Sequence, residues 1–259
     1  MSEGTTGGIW PQGVARQVVA SSPSTNAEGL RLAPELSGPL WLLTHRQTSG
    51  RGRRGRGWVM PEGNFAATLV TRPKGGITVA AQLSFVAALA LHDALAQACG
   101  PSVQIAIKWP NDVLLNGGKV AGILLESSGT GAGDPAVAVG IGVNLAAAPT
   151  PDRVEAGAVL PVSVFGESGF LVPPEDFLDL LAPAFAQWQE RLETYGFAPI
   201  RNAWLDRAAR LGEVIIARTG TTERQGVFEG IDESGALVLR APEGRVAIPA
   251  ADVFFQGES

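Results

Sequence analysis

The 259-residue chain carries 20 Lys and Arg against 25 Asp and Glu, a net charge of −5, with one cysteine and two histidines. That inventory excludes an internal disulfide and leaves no credible zinc site or cysteine–histidine pair. It also argues against a surface that spreads basic charge over nucleic acid. A chain this long buries about three quarters of the surface its unfolded form exposes, so it needs no staples. Cys99, inside an apolar run, reads as a buried thiol, and a reducing, cytoplasmic setting is expected.

Residues 1–13, rich in Gly, Ser and Thr, are expected to be flexible. Glu3 and several glycines stand where a secretory signal would have a basic stretch and an apolar core. A strand over 14–20 leads into Ser22-Pro23-Ser24-Thr25-Asn26, a turn and N-cap for a helix ending at Leu32. Strands follow at 40–44 and 65–71, then a helix over about 78–99. Gln82, His92, Asp93 and Gln97 interrupt that apolar segment, which favours a core helix packed on a sheet over a membrane span.

Residues 103–108 alternate as a strand. The runs 113–115 and 120–126 flank Asn116-Gly117-Gly118, whose residues tolerate positive φ at a hairpin turn. A strand covers 136–143. Helices cover 175–195, kinked or divided at Pro183, and 199–209. After Gly212, short strands at 213–218, 226–231, 236–240 and 245–248 are separated by turns such as Asp232-Glu233-Ser234-Gly235. The chain therefore divides into a flexible 1–13, an α/β unit over 14–210 and a small barrel over 211–257.

Charge becomes informative when localised. Arg46, Arg51, Arg53, Arg54 and Arg56 fall within eleven residues that hold no acid; the remainder has 15 basic residues against 25 acidic. Such a loop in an acidic chain suits a small anion such as a nucleotide phosphate. In Gly50-Arg51-Gly52-Arg53-Arg54-Gly55-Arg56-Gly57-Trp58, preceded by Gln47, the glycines allow close backbone approach and the arginines fork onto carboxylate or phosphate oxygens. A basic linker or an RGG-like nucleic-acid segment would share that composition, but flanking strands count against a linker. A second motif, Lys108-Trp109-Pro110-Asn111-Asp112, ends a strand opposite Lys119 and Gly122. Its lysine can offer a point charge to a carboxylate or phosphate, although alone it would read as a solvated surface lysine. There is no P-loop, because Gly118-Lys119 is followed by Val120, and Gly140-x-Gly142 lacks the third glycine of a dinucleotide fingerprint.

The two motifs, with Ser24-Thr25-Asn26 upstream and Gly140-Ile141-Gly142-Val143-Asn144 downstream, closely resemble biotin–protein ligases over roughly residues 14–255. The resemblance implies an α/β (α+β) fold: a mixed sheet flanked by helices, related to class II synthetases and lipoate ligases, with an SH3-like C-terminal barrel. It implies ATP-dependent activation of biotin to biotinyl-AMP, with Mg2+, and transfer to a lysine of a biotin carboxyl carrier protein. Ser24, Thr25 and Gln47 would bond the biotin ring head, with Asn26 supporting that turn and Trp58 walling the site. Arg51, Gly52 and Arg53 would cover biotin and the adenylate. Lys108 would sit between carboxylate and α-phosphate, with Arg56 and Asn144 toward the nucleotide and no protein-only metal site. Lys108 and Arg53 are the expected catalytic pair. Some members carry an N-terminal winged-helix DNA-binding domain; 23 residues precede Ser24, so no DNA partner is expected. Neither is a membrane, and monomer or homodimer stays open. A lipoate or octanoate ligase of the same fold is the nearest rival, and a nucleic-acid module using the arginine loop is the other.

Overall fold

The computed structural model describes residues 9–128, 134–150, 158–220 and 222–255. Residues 1–8 of the expected flexible stretch, and 256–257 of the expected barrel, lie outside these. Trp10, within the stretch, donates its indole N–H to the Val14 carbonyl at 2.8 Å and packs against the core.

Seven strands form the larger sheet: β1 (Ala15–Val19), β2 (Leu40–Thr44), β3 (Phe65–Thr71), β4 (Ile105–Lys108), β5 (Asp112–Leu115), β6 (Gly118–Ser128) and β7 (Ala136–Val143), in the order β1-β2-β3-β7-β6-β5-β4. The β1–β2 pair is parallel and the others antiparallel, so the sheet is mixed. β2, β3 and β7 are buried along their whole length, which is why they read as continuous apolar runs. Side-chain alternation gives the sheet two unlike faces. One holds Trp41, Phe65, Ala67 and Leu69, with Trp41 and Phe65 edge-on to Phe185 and Phe177. The other holds Thr68, Val70, Gly140 and Gly142, and it is here that the first helix packs.

That helix, α1 (Thr25–Leu32), is capped by Ser24, whose Oγ accepts from the Ala27 N–H at 3.4 Å. Gly29 lets it approach closely, since a Cβ there would stand 2.6 Å from Val70. The opposite face is covered by α2 (Gly76–Cys99) and α4 (Pro174–Tyr195). Among the described helices α2 alone is long and apolar enough to span a membrane; with 61% of its most apolar window buried in the protein, it is a core helix. Cys99, at its end, is buried and unpaired.

Of the kink or division expected at Pro183, the division does not occur: α4 is one helix of 22 residues with the proline inside it. The missing N–H and ring clash cost about 3 kcal/mol, while each fully buried large side chain returns about 1.5–3 kcal/mol. Phe177, Leu181 and Phe185 are fully buried on α2 and the sheet, so packing wins. A short α3 (Val164–Ser168), absent from the sequence reading, is capped by Ser163. The hairpin turn has φ of 50° at Asn116 and 86° at Gly117, as its residues suggest.

After α5 (Phe197–Leu205), strands β8 (Val214–Thr219), β9 (Thr222–Ile231), β10 (Leu237–Ala241), β11 (Gly244–Ile248) and β12 (Asp252–Phe255) form a five-stranded antiparallel sheet ordered β11-β10-β9-β8-β12. It shares a core with the larger unit. Trp204 is edge-on to both Phe85 and Phe228, and the Trp109 indole donates to the Gly235 carbonyl at 3.0 Å. β12 was not expected, and it is the strand nearest the site.

Candidate functional site

A cavity of about 620 Å3 opens on the α1 face of the larger sheet, bounded by α1, the arginine loop, the β5–β6 hairpin and β12. Its floor is made of missing side chains. A Cβ on Gly140 would stand 2.2 Å from Asn26 Oδ1, and one on Gly142 would stand 2.4 Å from the Trp58 ring. The Gly-Ile-Gly run of β7 is therefore a bed for two other side chains. Gly140, Gly142 and Asn144 step along the strand at intervals of about 7 Å, giving the cavity an Asn26 end, a Trp58 middle and a far end.

At the Asn26 end the polar groups are bonded to one another. The Thr25 N–H and hydroxyl both face Gln47 Oε1, at 2.9 and 3.2 Å. The Thr68 hydroxyl lies 2.7 Å from Asn26 Oδ1 and 2.8 Å from Thr25 Oγ1. The Asn26 amide donates to the Leu124 carbonyl at 3.0 Å and to Glu126 Oε2 at 2.9 Å. Gln47 is carried there because the chain after β2 zips onto the segment before α1: Thr48 donates to the Ser22 carbonyl and Ser49 to that of Pro23, at 3.1 and 2.8 Å.

The arginine loop is a small hydrogen-bonded turn. Trp58 donates to the Gly50 carbonyl and Gly52 to that of Arg56, at 2.9 and 2.7 Å. Gly50 is required by close approach, because a Cβ would meet Gln47 and the Trp58 carbonyl at 2.6 Å; Gly55 is required by φ of 75°. Arg54 next to it also has positive φ, 56°. The guanidinium groups reach away from the loop. Arg51 donates to Glu126 Oε1 at 3.0 Å, Arg53 to the Ala251 carbonyl at 3.2 Å and Arg54 to Asp252 Oδ2 at 2.8 Å, while Arg56 pairs with the same Asp252 oxygen. Burial pushes the Arg53 guanidinium below its usual value, only partly offset by Asp252; even so it stays charged, and such a half-buried cation favours an anion.

Lys108 is 8% exposed, and its Nζ stands 5.3 Å from the centre of the Phe255 ring. In cross-strand register it lies opposite Asp112, which faces Gly122, which faces Gly142. Lys119 joins this row: its Nζ is 2.7 Å from Asp112 Oδ1 and 5.8 Å from the Trp58 ring centre. Asn144, 2% exposed, donates to the Val162 carbonyl at 3.0 Å, tying the 158–163 segment over Lys119. Among the described residues no group of three His, Cys, Asp or Glu is arranged to hold a metal ion.

Residues 16–144 match the model of the biotin/lipoate A/B protein ligase family, and 211–256 match that of the biotin protein ligase C-terminal domain. The chain is 72% identical over 240 residues to a biotin–[acetyl-CoA-carboxylase] ligase of Paracoccus denitrificans, covering 93% of this chain and 100% of that one. The chain belongs to the biotin–protein ligase family. A biotin–[acetyl-CoA-carboxylase] ligase of Mycobacterium tuberculosis is 32% identical over 91% of this chain and 87% of its own. A biotin protein ligase of Aquifex aeolicus, solved with biotin and ATP, superposes with a TM-score of 0.78 at 24% identity, over 92% of this chain and 97% of that one, a likeness of fold.

Every site residue named from the sequence of this ligase lines the one cavity: Ser24, Thr25, Asn26, Gln47, Arg51, Gly52, Arg53, Arg56, Trp58, Lys108 and Asn144. Asn144 lines it with its amide committed to Val162. Lys119 and Asp112, named with the second motif but given no role, line it as an ion pair; missed were Thr68 and Glu126 behind it and Asp252–Phe254 of β12. The coincidence of Lys119 with Asp112 was readable, since a tight hairpin sets the two strands face to face.

Proposed function

We propose a division of labour along the cavity for the activity of this ligase, which activates biotin with ATP and attaches it to a protein lysine. Thr25, Gln47 and Ser24 take the fused ring head at the Asn26 end, and Trp58 walls the apolar tail. The biotin carboxylate then meets the α-phosphate at Lys108, Lys119 and Arg53. Carboxylate and phosphate repel, so the work is positioning and cation supply, with no strong base needed. The carboxylate oxygen bonds to the α-phosphorus and pyrophosphate leaves. The resulting mixed anhydride is prone to hydrolysis, and Arg51, Gly52 and Arg53 cover it against water. A carrier lysine then attacks the acyl carbon, forming the amide and releasing AMP.

The observation that carries this reading is one cavity holding both a neutral hydrogen-bonding set and a cationic set, with a flat ring between them. The half-buried Arg53 and the buried Lys108 fit a polyanion. Mg2+, arriving with the ATP phosphates, would offset their charge, since no cluster of carboxylates or histidines among the described residues would hold it alone. The acceptor is the biotin carboxyl carrier protein of a carboxylase, in the cytoplasm, without DNA or membrane. We place the catalytic domain at 14–210 and the small barrel at 211–257. The chain, incubated with labelled biotin, Mg-ATP and a biotin carboxyl carrier domain, is expected to label one carrier lysine. Labelling by lipoate in place of biotin, or salt-sensitive binding to random DNA with no labelling, would overturn the reading.

A further inference from the structure

Glu126 does not line the cavity, yet both ends of the functional apparatus meet on its carboxylate. It lies on β6, opposite Ala138 of β7 and two residues beyond Leu124. One oxygen, Oε2, accepts from the Asn26 amide at 2.9 Å; the other, Oε1, accepts from Arg51 at 3.0 Å. Asn26 has no latitude of its own. Its side chain is wedged over Gly140, its second amide hydrogen goes to the Leu124 carbonyl, and its oxygen receives Thr68. With the Thr68 hydrogen given to Asn26, the Thr25 hydroxyl is the donor of the 2.8 Å contact to Thr68, and the Thr25 backbone N–H donates to Gln47 at 2.9 Å. A continuous chain of hydrogen bonds thus runs Gln47–Thr25–Thr68–Asn26–Glu126–Arg51, from the floor of the ring-head end to the arginine loop.

We propose that Glu126 is a positioning residue that couples occupation of the ring-head end to closure of the arginine loop. The proposal rests on the biotin-ligase reading of the cavity. The two oxygens differ in emphasis: Oε2 fixes the Asn26 amide beneath the ring head, with Arg51 at a longer 3.4 Å, and Oε1 takes the shorter 3.0 Å contact that draws Arg51, and with it the start of the loop, over the cavity. Biotin seated on the ring-head end holds Asn26, and through it Glu126, in the position that receives Arg51, and a loop held shut by Arg51 holds Asn26 in turn. Arg51 and Glu126 side chains are 49% and 29% exposed, so the ion pair is a modest one, suited to a contact that opens and closes.

The two tasks respond differently to substitution. Glu126→Gln keeps a neutral acceptor for Asn26 and loses the charge that holds Arg51; Glu126→Ala loses both. The arginine loop is a set of tryptic sites, so its closure is read by the rate of cleavage within residues 51–56, with and without biotin, alongside biotin calorimetry and the melting temperature of the full chain. In the wild type, biotin slows cleavage. In Glu126→Gln, cleavage is expected to rise about two- to fivefold, the size of a partly exposed ion pair, with biotin protection lost and biotin affinity lowered by no more than that same factor, as reciprocity requires. Glu126→Ala is expected to lose biotin affinity as well. Unchanged cleavage and protection in a folded Glu126→Gln would overturn the coupling. So would equal loss of biotin affinity in both variants, because the carboxylate would then serve the ring-head end alone. A wild-type chain that bound no biotin would instead remove the functional reading underneath.

Discussion

Gly142→Ala is the sharpest test of the cavity floor. Gly142 has no positive φ, so the backbone accepts alanine, and the whole effect passes through Trp58. The new Cβ would stand 2.4, 2.5 and 2.7 Å from three atoms of the indole. Carbon atoms settle at about 3.5 Å, so the ring must lift by roughly 1 Å. Trp58 is only partly buried and sits at the end of a loop, which places the cost near the lower end of the roughly 1–3 kcal/mol typical of overpacking. Catalysis is less forgiving: a displacement of about 1 Å in a positioning wall costs on the order of 100-fold. Gly122→Ala presses the same ring from the neighbouring strand at 3.1 Å and should act in the same direction but more weakly. The assay is pyrophosphate release with biotin and ATP, read beside the melting temperature. A Gly142→Ala protein that is folded and releases pyrophosphate at the wild-type rate would refute the account of Trp58 as the cavity wall.

Lys108→Ala should slow adenylate formation by roughly 10- to 100-fold, since a charge-assisted contact is worth about 1.5–3 kcal/mol, and pyrophosphate release at the wild-type rate would contradict that. Thr25→Val and Gln47→Leu should each weaken biotin binding by about 1–3 kcal/mol. Because the two residues share hydrogen bonds, the double variant should lose less than the sum of the singles in calorimetry. Strict additivity would mean that they contact the ligand independently. Asp93 provides a pH prediction. Burial pushes its carboxyl up, but hydrogen bonds from His92 and Trp188 and the charge of Arg207 outweigh burial, and the net shift is down. Its contribution to stability is present above the usual carboxylate value of about 3.9 and is lost as pH falls through the lower folded value. Asp93→Asn should therefore flatten the stability curve below about pH 4 in urea titrations, and parallel curves would count against the cluster.

What the sequence made legible follows the range of the interactions involved. β2, β3 and β7 are buried on both faces and announce themselves as apolar runs. The ends of α1 and the hairpin at Asn116-Gly117 are set by residues within a few positions, and so are readable. The arginine loop stood out because its composition is unlike the rest of the chain. β12 did not, since its four residues pair with β8 far back in the chain and carry no local turn signal. Thr68 was hidden in an apolar strand; only the pairing of Thr68 with Gly140 makes it part of a polar network. Pro183 does not divide α4, because the packing on either side of it outweighs the local backbone chemistry. Gly140 and Gly142 were visible as glycines, but their purpose lay in two side chains more than 80 positions away in the chain.

The contribution of β12 bears on how the enzyme fails. Asp252 holds two loop arginines, the Ala251 carbonyl holds a third, and Phe255 lies against Lys108. The smaller sheet is therefore part of the cavity wall, while most of the buried apolar surface lies in the larger unit. Units of unequal stability open separately on heating. If the smaller sheet detaches first, the cavity loses one wall while most of the secondary structure persists, and dichroism is expected to report a folded protein that no longer turns over. Working lifetime would then be set by the docking of one short strand, and strengthening that contact would extend it more than any improvement of the main core.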